Sequence, residues 1–289
     1  MVHFYRERGV KMIAKQTMSL NNQLVSYFDI GSKDAPPVLL IHGVPESSML
    51  YKHIIPEITS LGFRAIAPDL PGFGQSDRFP YKANWENFVA FISDFTDALA
   101  LEKLHLVVHD WGGMIGLRWA CDNTEKIESL IISDTCLVPG YTWHPLAKKW
   151  RTPDLGEKVV EAMANKKAWM TSMKKEIPSV DEDILEDFFR IFEKDATRKV
   201  ILELYRSANR QLIEPYQTLS NIKSHVTILW GENDPYISTE FAYKTRDEQF
   251  TQANVHIIPD TGHFIHVEAP KQVIPYIKDH FQTVLNLQK

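Results

Sequence analysis

Cysteine, long apolar runs and clustered basic residues are all scarce in this chain. Its 289 residues include two cysteines, which excludes a disulfide framework, and no zinc-type Cys/His spacing accompanies them. No window approaches a membrane span, and the first 16 residues lack the continuous apolar segment of a signal peptide. The 32 basic and 37 acidic residues give a net charge of −5 without a basic block. We therefore expect a cytoplasmic protein that binds neither nucleic acid nor membrane.

The composition is that of a large folded domain. Hydrophobic residues make up 44% and aromatic residues 11% of the chain, enough to bury one α/β core. Strand and helix patterns alternate up to about residue 136 and again after about residue 215, which predicts a mostly parallel sheet flanked by helices. We expect an α/β core over residues 1–136 and 216–289, a helical lid over residues 137–215, and a monomer or homodimer.

An apolar run that ends in a charged residue and two glycines spans residues 104–116. It predicts a buried strand, a sharp turn and a helix, because Gly112 and Gly113 permit close backbone approach. Asp110, at the apex, stands where the α/β-hydrolase fold places its nucleophile. A carboxylate is anionic at pH 7 and can displace a leaving group from saturated carbon, which forms an alkyl ester of the enzyme. The alternative is that Asp110 only caps the next helix.

Hydrolysis of such an ester requires an oxyanion hole. The motif His42-Gly43-Val44-Pro45 follows a short predicted strand and leads to a helix expected over residues 49–61. This fold takes its second oxyanion donor from such a loop, so we assign the main-chain N–H groups of Val44 and Trp111 to the hole. A plain strand-to-helix turn is the alternative.

The ester also requires a base. Asp234 and His263 each follow a predicted strand, in the chain order nucleophile, acid, histidine that this fold uses. Asp234 would orient the ring of His263, which would then take a proton from water. Asp134 also follows a strand and is either an alternative acid or a capping residue. His266 is the competing histidine, and we expect it to face the last helix.

The predicted lid is helical and rich in aromatic residues. Such an element would exclude water and supply an apolar pocket. Two of its side chains are candidates for binding an anion. The indole N–H of Trp169 could hold a leaving anion, and the phenol of Tyr205 could donate a proton. Ordinary packing in the lid is the alternative for both.

Four motifs together resemble the aspartate-nucleophile branch of the α/β-hydrolase superfamily, which contains haloalkane dehalogenases and epoxide hydrolases. They are Val107-Val108-His109-Asp110-Trp111-Gly112-Gly113, His42-Gly43-Val44-Pro45, Gly231-Glu232-Asn233-Asp234-Pro235 and Gly262-His263-Phe264. The similarity covers nearly the whole chain except the predicted lid. It implies the α/β-hydrolase fold and a covalent alkyl-enzyme ester, with no cofactor and no metal.

Details of these motifs are most similar to the haloalkane dehalogenases. Val108 stands where epoxide hydrolases more often have glycine, and residues 45–56 resemble the dehalogenase loop and helix. The resemblance implies that Trp111 binds the departing halide. Ala168-Trp169 is similar to the lid tryptophan that is the second halide donor in one dehalogenase subfamily. Val44 departs from the pattern, because dehalogenases usually carry Asn or Glu at that place.

Other details are similar to the epoxide hydrolases. The segment from Leu204 to Arg210 resembles the one that carries their lid tyrosine, here Tyr205, which would protonate the opening oxygen. Tyr141 is a candidate for a second tyrosine. Val44 departs from this pattern too, because an aromatic residue is usual there. Haloacid dehalogenases are a further alternative, but their usual arginine after the nucleophile is Trp111 here.

The favoured function is hydrolytic dehalogenation of a small apolar haloalkane to an alcohol and a halide. Asp110 would displace the halide, Trp111 would stabilise it, and His263 with Asp234 would drive hydrolysis of the ester. The alternatives are an epoxide hydrolase that produces diols, with Tyr205 as acid, and a ligand-binding member of the fold without turnover.

Overall fold

Eight strands form one sheet in the computed structural model, which describes residues 14–136, 138–208 and 214–287 without the side chains of 214–217. The strands are β1 (Gln16–Leu20), β2 (Gln23–Ile30), β3 (Pro37–Ile41), β4 (Arg64–Pro68), β5 (Leu104–His109), β6 (Ile127–Ser133), β7 (His225–Gly231) and β8 (Asn254–Ile258). Their spatial order is β1-β2-β4-β3-β5-β6-β7-β8. Strands β3 to β8 run parallel, and β2 is antiparallel to both of its neighbours. The predicted mostly parallel sheet is confirmed.

Local sequence explains the strands. Asn21 and Asn22 both adopt positive φ, at 51° and 62°, as a tight hairpin turn between β1 and β2 requires. Strand β5 is buried at every residue, and β6 at every residue except its second. Continuous apolar runs are typical of parallel strands that helices cover on both faces.

The helices of the described residues are α1 (Ile55–Ser60), α2 (Trp85–Ala98), α3 (Asp110–Cys121), α4 (Pro145–Arg151), α5 (Leu155–Met163), α6 (Lys166–Glu176), α7 (Glu182–Glu193), α8 (Asp195–Ser207), α9 (Glu240–Gln249), α10 (Ile265–Glu268) and α11 (Pro270–Leu287). Helices α1 to α9 lie in the connections between the parallel strands, and α10 and α11 follow the last strand. Short 3₁₀ turns cover Ser48–Tyr51, Thr124–Lys126 and Glu214–Asn221. No helix in these described parts of the chain is long and apolar enough to cross a bilayer.

The helix expected over residues 49–61 is broken in two. The 3₁₀ turn at Ser48–Tyr51 begins where the side chain of Ser47 accepts a hydrogen bond from the Met49 N–H. The α-helix starts only at Ile55, with Pro56 in its first turn. Proline lacks an N–H donor and is tolerated there but not in a helix interior, so it restarts the helix instead of continuing it.

Five helices, α4 to α8, come between β6 and β7. Parts of the predicted lid, Leu137 and residues 209–213, lie outside the described residues, as do residues 1–13 of the predicted first core segment. The division of the chain into two core segments and a lid stays a prediction.

The sheet order places two loops side by side. The chain passes from β3 outward to β4 and then returns to β5 on the other side of β3. Parallel strands end at the same edge, and a reversal of this kind opens a crevice between the loops that follow them. The loop that begins with His42 therefore lies next to the turn that carries Asp110.

Candidate active site

The turn between β5 and α3 carries Asp110 in a left-handed backbone conformation, with φ at +49°. Such a φ is uncommon for a residue with a Cβ, although aspartate tolerates it better than most. A Cβ added to Gly112 would overlap the main-chain oxygens of Ile41 and His42, and one added to Gly113 would overlap the side chain of Thr135. The glycines thus let α3 approach the neighbouring strands closely, as expected.

The two oxygens of the Asp110 carboxylate have different surroundings. Oδ1 accepts a hydrogen bond from the main-chain N–H of Val44 at 2.8 Å. The main-chain N–H of Trp111 also donates to this carboxylate. Oδ2 lies 3.4 Å from Nε2 of His263. Both predicted oxyanion donors therefore face the carboxylate, and the second oxygen faces the histidine.

His263 links the carboxylate of Asp110 to that of Asp234. Its Nδ1 lies 2.8 Å from Oδ2 of Asp234, and the side chains of both residues are almost completely buried. Oδ1 of Asp234 accepts hydrogen bonds from the main-chain N–H groups of Tyr236 and Ile237 at 2.7 and 3.0 Å. These bonds fix the aspartate, which in turn fixes the ring orientation and the tautomer of His263.

Charge pairing shifts the pKa of both partners. Burial alone would lower the pKa of His263, but the charges and hydrogen bonds of Asp234 and Asp110 raise it well above its usual range. Burial alone would raise the pKa of Asp110, but the hydrogen bond and charge of His263 lower it. Both shifts favour a negatively charged Asp110 beside a positively charged His263 in the free site.

Asp134 lies close to this pair but has another partner. Its Oδ1 accepts a hydrogen bond from the Gly231 N–H at 2.8 Å, which joins the ends of β6 and β7. Burial and the nearby charge of Asp234 raise its pKa well above the usual range. The ring of His263 is thus hydrogen-bonded to Asp234, whereas Asp134 joins two strand ends.

His266 does not face the last helix as expected. It lies in the short helix α10, completely buried, with Nε2 at 2.9 Å from Oγ of Ser133 in β6. Its ring packs against Tyr51 and His109. The hydroxyl of Ser133 at the strand end offers this imidazole a hydrogen bond, which the sequence pattern around His266 does not indicate.

A cavity of about 430 Å³ opens above Asp110 and His263. Eight aromatic side chains line it: Trp111, Tyr141, Trp143, Trp150, Trp169, Tyr205, Tyr236 and Phe264. Lysine and arginine are missing among its described lining residues. A pocket with this lining is suited to an uncharged, apolar ligand.

Only one of the two predicted anion-binding side chains from the helical segment lies at Trp111. The ring of Tyr205 is 4.9 Å from that of Trp111, centroid to centroid. Trp169 instead packs against Phe189 and Phe192, and its buried indole nitrogen has no hydrogen-bond partner among the residues described. Trp169 lines the cavity wall, but Tyr205 is the side chain that the structure brings to Trp111.

The hydroxyls of two tyrosines near Asp110 each accept a hydrogen bond from an N–H group. The Tyr205 hydroxyl accepts from the Trp111 side chain, and the Tyr141 hydroxyl accepts from the main-chain N–H of His144. Burial, with a smaller contribution from the charge of Asp110, raises the pKa of both. Each phenol therefore keeps its proton at neutral pH and can donate it to a ligand.

Trp143 and His144 also line the cavity, and the sequence analysis did not single them out. Trp143 stacks on Trp111 with ring planes 17° apart. His144 caps α4 through its Nδ1 and packs its ring 4.8 Å from that of Tyr236. The run Tyr141-Thr142-Trp143-His144 begins eight residues after Ser133, the last residue of β6, and its density of aromatic residues was the available signal.

Two groups in the described part of the chain each bring together three side chains of types that can bind a metal. Glu46, His109 and His263 form one group, and Asp134, Asp234 and His263 form the other. The hydrogen bonds above already use His263 in both groups. We assign no metal to either.

Comparison with known proteins agrees with this architecture. The family described as alpha/beta hydrolase fold matches residues 36–270. A haloalkane dehalogenase from Psychrobacter cryohalolentis is 41% identical over 118 residues, which cover 40% of this chain and 39% of that protein. One from Mycobacterium marinum is 38% identical over 110 residues, or 37% of each chain. The matched segments thus span about two fifths of the length of these curated relatives.

Solved structures resemble the whole chain. Haloalkane dehalogenase DbeA from Bradyrhizobium elkani has a TM-score of 0.83 at 20% identity, covering 95% of this chain and 99% of its own. Cfl2 from Burkholderia cenocepacia has a TM-score of 0.79 at 18% identity, covering 96% and 98%. At this identity the likeness concerns the fold alone. With the family match over residues 36–270, it places this chain in the alpha/beta hydrolase fold family.

Proposed function

We propose that this protein is a hydrolase that removes halogen from uncharged haloalkanes, with Asp110 as nucleophile. The observation that carries the proposal is the asymmetry of the Asp110 carboxylate. Oδ1 accepts a hydrogen bond from a main-chain N–H, while Oδ2 faces His263 on the floor of an apolar cavity. The similarity to curated haloalkane dehalogenases supports the choice of leaving group.

In the first step, Oδ2 attacks the carbon that bears the halogen. A C–O bond forms as the carbon–halogen bond breaks, and the halide leaves with the bonding electron pair. The product is a neutral alkyl ester on Asp110. The N–H of the Trp111 indole and the O–H of Tyr205 lie together beside the carboxylate and would stabilise the departing anion.

In the second step, His263 removes a proton from water, and the resulting oxygen attacks the ester carbonyl carbon. Oδ1 becomes the oxyanion, in contact with the N–H groups of Val44 and Trp111. Collapse releases the alcohol, and the regenerated carboxylate contains one oxygen from water. Alkylation removes the negative charge of Asp110, so the pKa of His263 falls and the ring becomes a base only after the ester has formed.

We also propose that the helical segment acts as a lid on a core formed by residues 1–136 and 216–289. Trp143, Trp169 and Tyr205 all line the cavity from this segment. Enclosure by these side chains would exclude bulk water and strengthen the electrostatic interactions inside.

Halide release from a panel of haloalkanes tests the proposal. The parent protein should release halide and alcohol in equal amounts, and D110N should release neither. Single turnover in ¹⁸O-water gives a sharper result. The first turnover should produce unlabelled alcohol and leave the label in Asp110, whereas label that enters only the alcohol would contradict a covalent ester.

Epoxide hydrolysis is the second candidate, and the two phenols favour it. The hydroxyls of Tyr141 and Tyr205 each accept a hydrogen bond from an N–H group, so each can still donate its own proton. Such a pair could protonate the oxygen of an opening epoxide ring. Diol formation from a styrene-type epoxide, lost in Y205F and Y141F while halide release persists, would assign the phenols to epoxides. Release of halide without any diol would exclude this candidate.

A further inference from the structure

Glu46 and His109 form a completely buried pair directly behind the catalytic residues, and the steps above do not use it. Nδ1 of His109 lies 3.0 Å from Oε1 and 3.2 Å from Oε2 of Glu46. Nε2 of His109 lies 2.9 Å from the main-chain oxygen of His263. Burying a charged pair costs free energy that only good hydrogen bonding offsets, so its presence here needs a reason.

The hydrogen bonds of this pair reach all three catalytic segments. Oε2 of Glu46 accepts from the main-chain N–H of Gly43 at 2.7 Å, and the next residue, Val44, supplies an oxyanion donor. His109 is the residue before Asp110 and therefore sets the start of the nucleophile turn. Its bond to the main chain of His263 holds the base. One buried pair thus connects the oxyanion loop, the nucleophile and the base.

The pair also contains a proton at a defined place. Nε2 faces a carbonyl oxygen, which only accepts, so this nitrogen must carry a hydrogen. Nδ1 faces a carboxylate, and the ring is positively charged when that carboxylate is ionised. Burial lowers the pKa of His109, but Glu46 outweighs this effect and raises it. The His109 and His263 rings are 4.8 Å apart, so this charge acts directly on the base.

Other ionisable groups face these two rings. Those around His109, besides Glu46 and His263, are Asp134 at 3.9 Å and His266. Those around His263 are Asp110, Asp134, Asp234, His144, Tyr236 and Glu268. All of them remain when His109 is replaced, so a change that follows its substitution reports on His109 itself.

We propose that Glu46 and His109 are positioning residues for hydrolysis of the ester. They hold the Val44 N–H group, the ester carbonyl on the Asp110 side chain and the His263 ring in the correct positions relative to one another. The inference rests on the proposed roles of Asp110 and His263. It predicts that loss of the pair slows the second step, in which three groups must meet at one carbon, more than the first, in which the carboxylate attacks alone.

Pre-steady-state kinetics of H109Q, E46A and E46Q test this. We expect ester hydrolysis to fall about 100-fold in H109Q and in E46A, as misplacement by about 1 Å can cause. The ester should then accumulate on Asp110. E46Q should stay within about fivefold of the parent, because its amide can accept from Gly43 and donate to a neutral His109. An E46Q variant as slow as E46A would overturn the proposal.

The pH profile separates positioning from a general loss of stability. H109Q removes a positive charge beside His263, so the pKa of that ring should rise by about one unit. Hydrolysis requires the neutral His263 ring, so the acid limb of the pH profile of ester hydrolysis should move to higher pH. H105Q is the matched control, since His105 is equally buried on the same strand but bonds to the hydroxyl of Ser129 instead of a carboxylate. H105Q should leave both the acid limb of the pH profile and the rate of ester hydrolysis unchanged.

Titration of the His263 ring by ¹⁵N NMR gives the same shift without any substrate. A parent protein that forms no ester and releases no halide would contradict the proposed function, whatever this titration shows. An active parent with an H109Q variant that hydrolyses the ester at the same rate and with the same acid limb would contradict the positioning role alone.

Discussion

The two ends of strand β5 carry buried histidines whose pKa values shift in opposite directions. At the amino end, burial lowers the pKa of His105 to about 4, and its ring bonds to the hydroxyl of Ser129 at 2.8 Å. At the carboxyl end, Glu46 raises the pKa of His109 although the ring is equally buried. The chemistry of the partner, and not burial, therefore decides which imidazole is charged.

The same contrast extends to the neighbouring elements. At the amino end, the ring of His280 bonds to Ser129 and Thr227, and burial lowers its pKa well below the usual range. At the carboxyl end, the carboxylates of Asp234 and Asp110 overcome burial and raise the pKa of His263. Imidazoles bonded to hydroxyls have lowered pKa values at the amino end, and those that face carboxylates have raised pKa values at the carboxyl end. His266 bonds to the Ser133 hydroxyl at the carboxyl end and also has a lowered pKa, so the partner decides the direction at both ends.

Removal of the base at the carboxyl end should have the largest effect. We expect H263Q to lower turnover about 1,000-fold, the scale of a lost general base, with an alkyl adduct on Asp110 visible in the mass of the intact protein. H280Q is the matched substitution at the amino end and should retain turnover in its folded fraction. Comparable turnover in H263Q and the parent would break the distinction between the two ends.

The two aspartates near His263 sharpen the distinction further. D234N should lower ester hydrolysis about 100-fold or more, because the wrong tautomer of His263 is then favoured. D134N should change it by less than about threefold, because the ring of His263 bonds to Asp234, whereas Asp134 bonds to the Gly231 N–H. Single-turnover rates measure both. The reverse order of effects would identify Asp134 as the acid.

At the amino end the expected effect is on stability. An imidazole with a lowered pKa in the folded state contributes fully above its unfolded pKa of about 6.5 and loses that contribution as the pH falls toward 4. The lowered pKa of His105 should therefore reduce the free energy of unfolding by about 2 kcal/mol when the pH falls from 7 to 5. Urea titrations at both pH values should show this loss in the parent and not in H105Q. An equal pH dependence in the two proteins would contradict a neutral His105.

The smallest expected effect concerns the hydroxyl of Ser129, which bonds to the rings of both His105 and His280. Ser129 bonds to both His105 and His280 at 2.8 Å, so S129A leaves two buried nitrogens without this partner. We expect a loss of about 1–2 kcal/mol in unfolding free energy with turnover unchanged. Chemical denaturation and halide release measured on the same preparation check both parts. Lower turnover in folded S129A would show that the two ends are coupled.

Periodic and local signals in the sequence were sufficient for much of the fold. The apolar runs of β5 and β6 predicted buried parallel strands, and the paired glycines after Asp110 predicted the close start of α3. The helix over residues 49–61 was wrong, because Pro56 restarts a helix that the apolar pattern alone would continue. The spacing of apolar residues indicates which positions are buried. A proline instead restricts the backbone directly, because it lacks the N–H that a helix interior requires.

The candidate site was predictable only in part. Asp110, Asp234 and His263 could be named because each follows a strand, and parallel strands end at one edge of a sheet. The bond of Glu46 to His109 joins residues 63 positions apart, and that of His266 to Ser133 spans 133 positions. Which side chain meets which across such distances depends on how the elements pack. The contacts of the Trp169 ring with Phe189 and Phe192 were set by this packing, and its role as an anion donor stays a prediction.

Strand periods, turn glycines and the order of the polar residues are local properties, and they are enough to name a fold, a candidate nucleophile and a candidate base. The pairing of His263 with Asp234 instead of Asp134, and the opposite pKa shifts of His105 and His109, arose only when distant segments came together. The physical reason is that hydrogen bonds and charges act over a few ångströms. Chain folding alone decides which groups come that close.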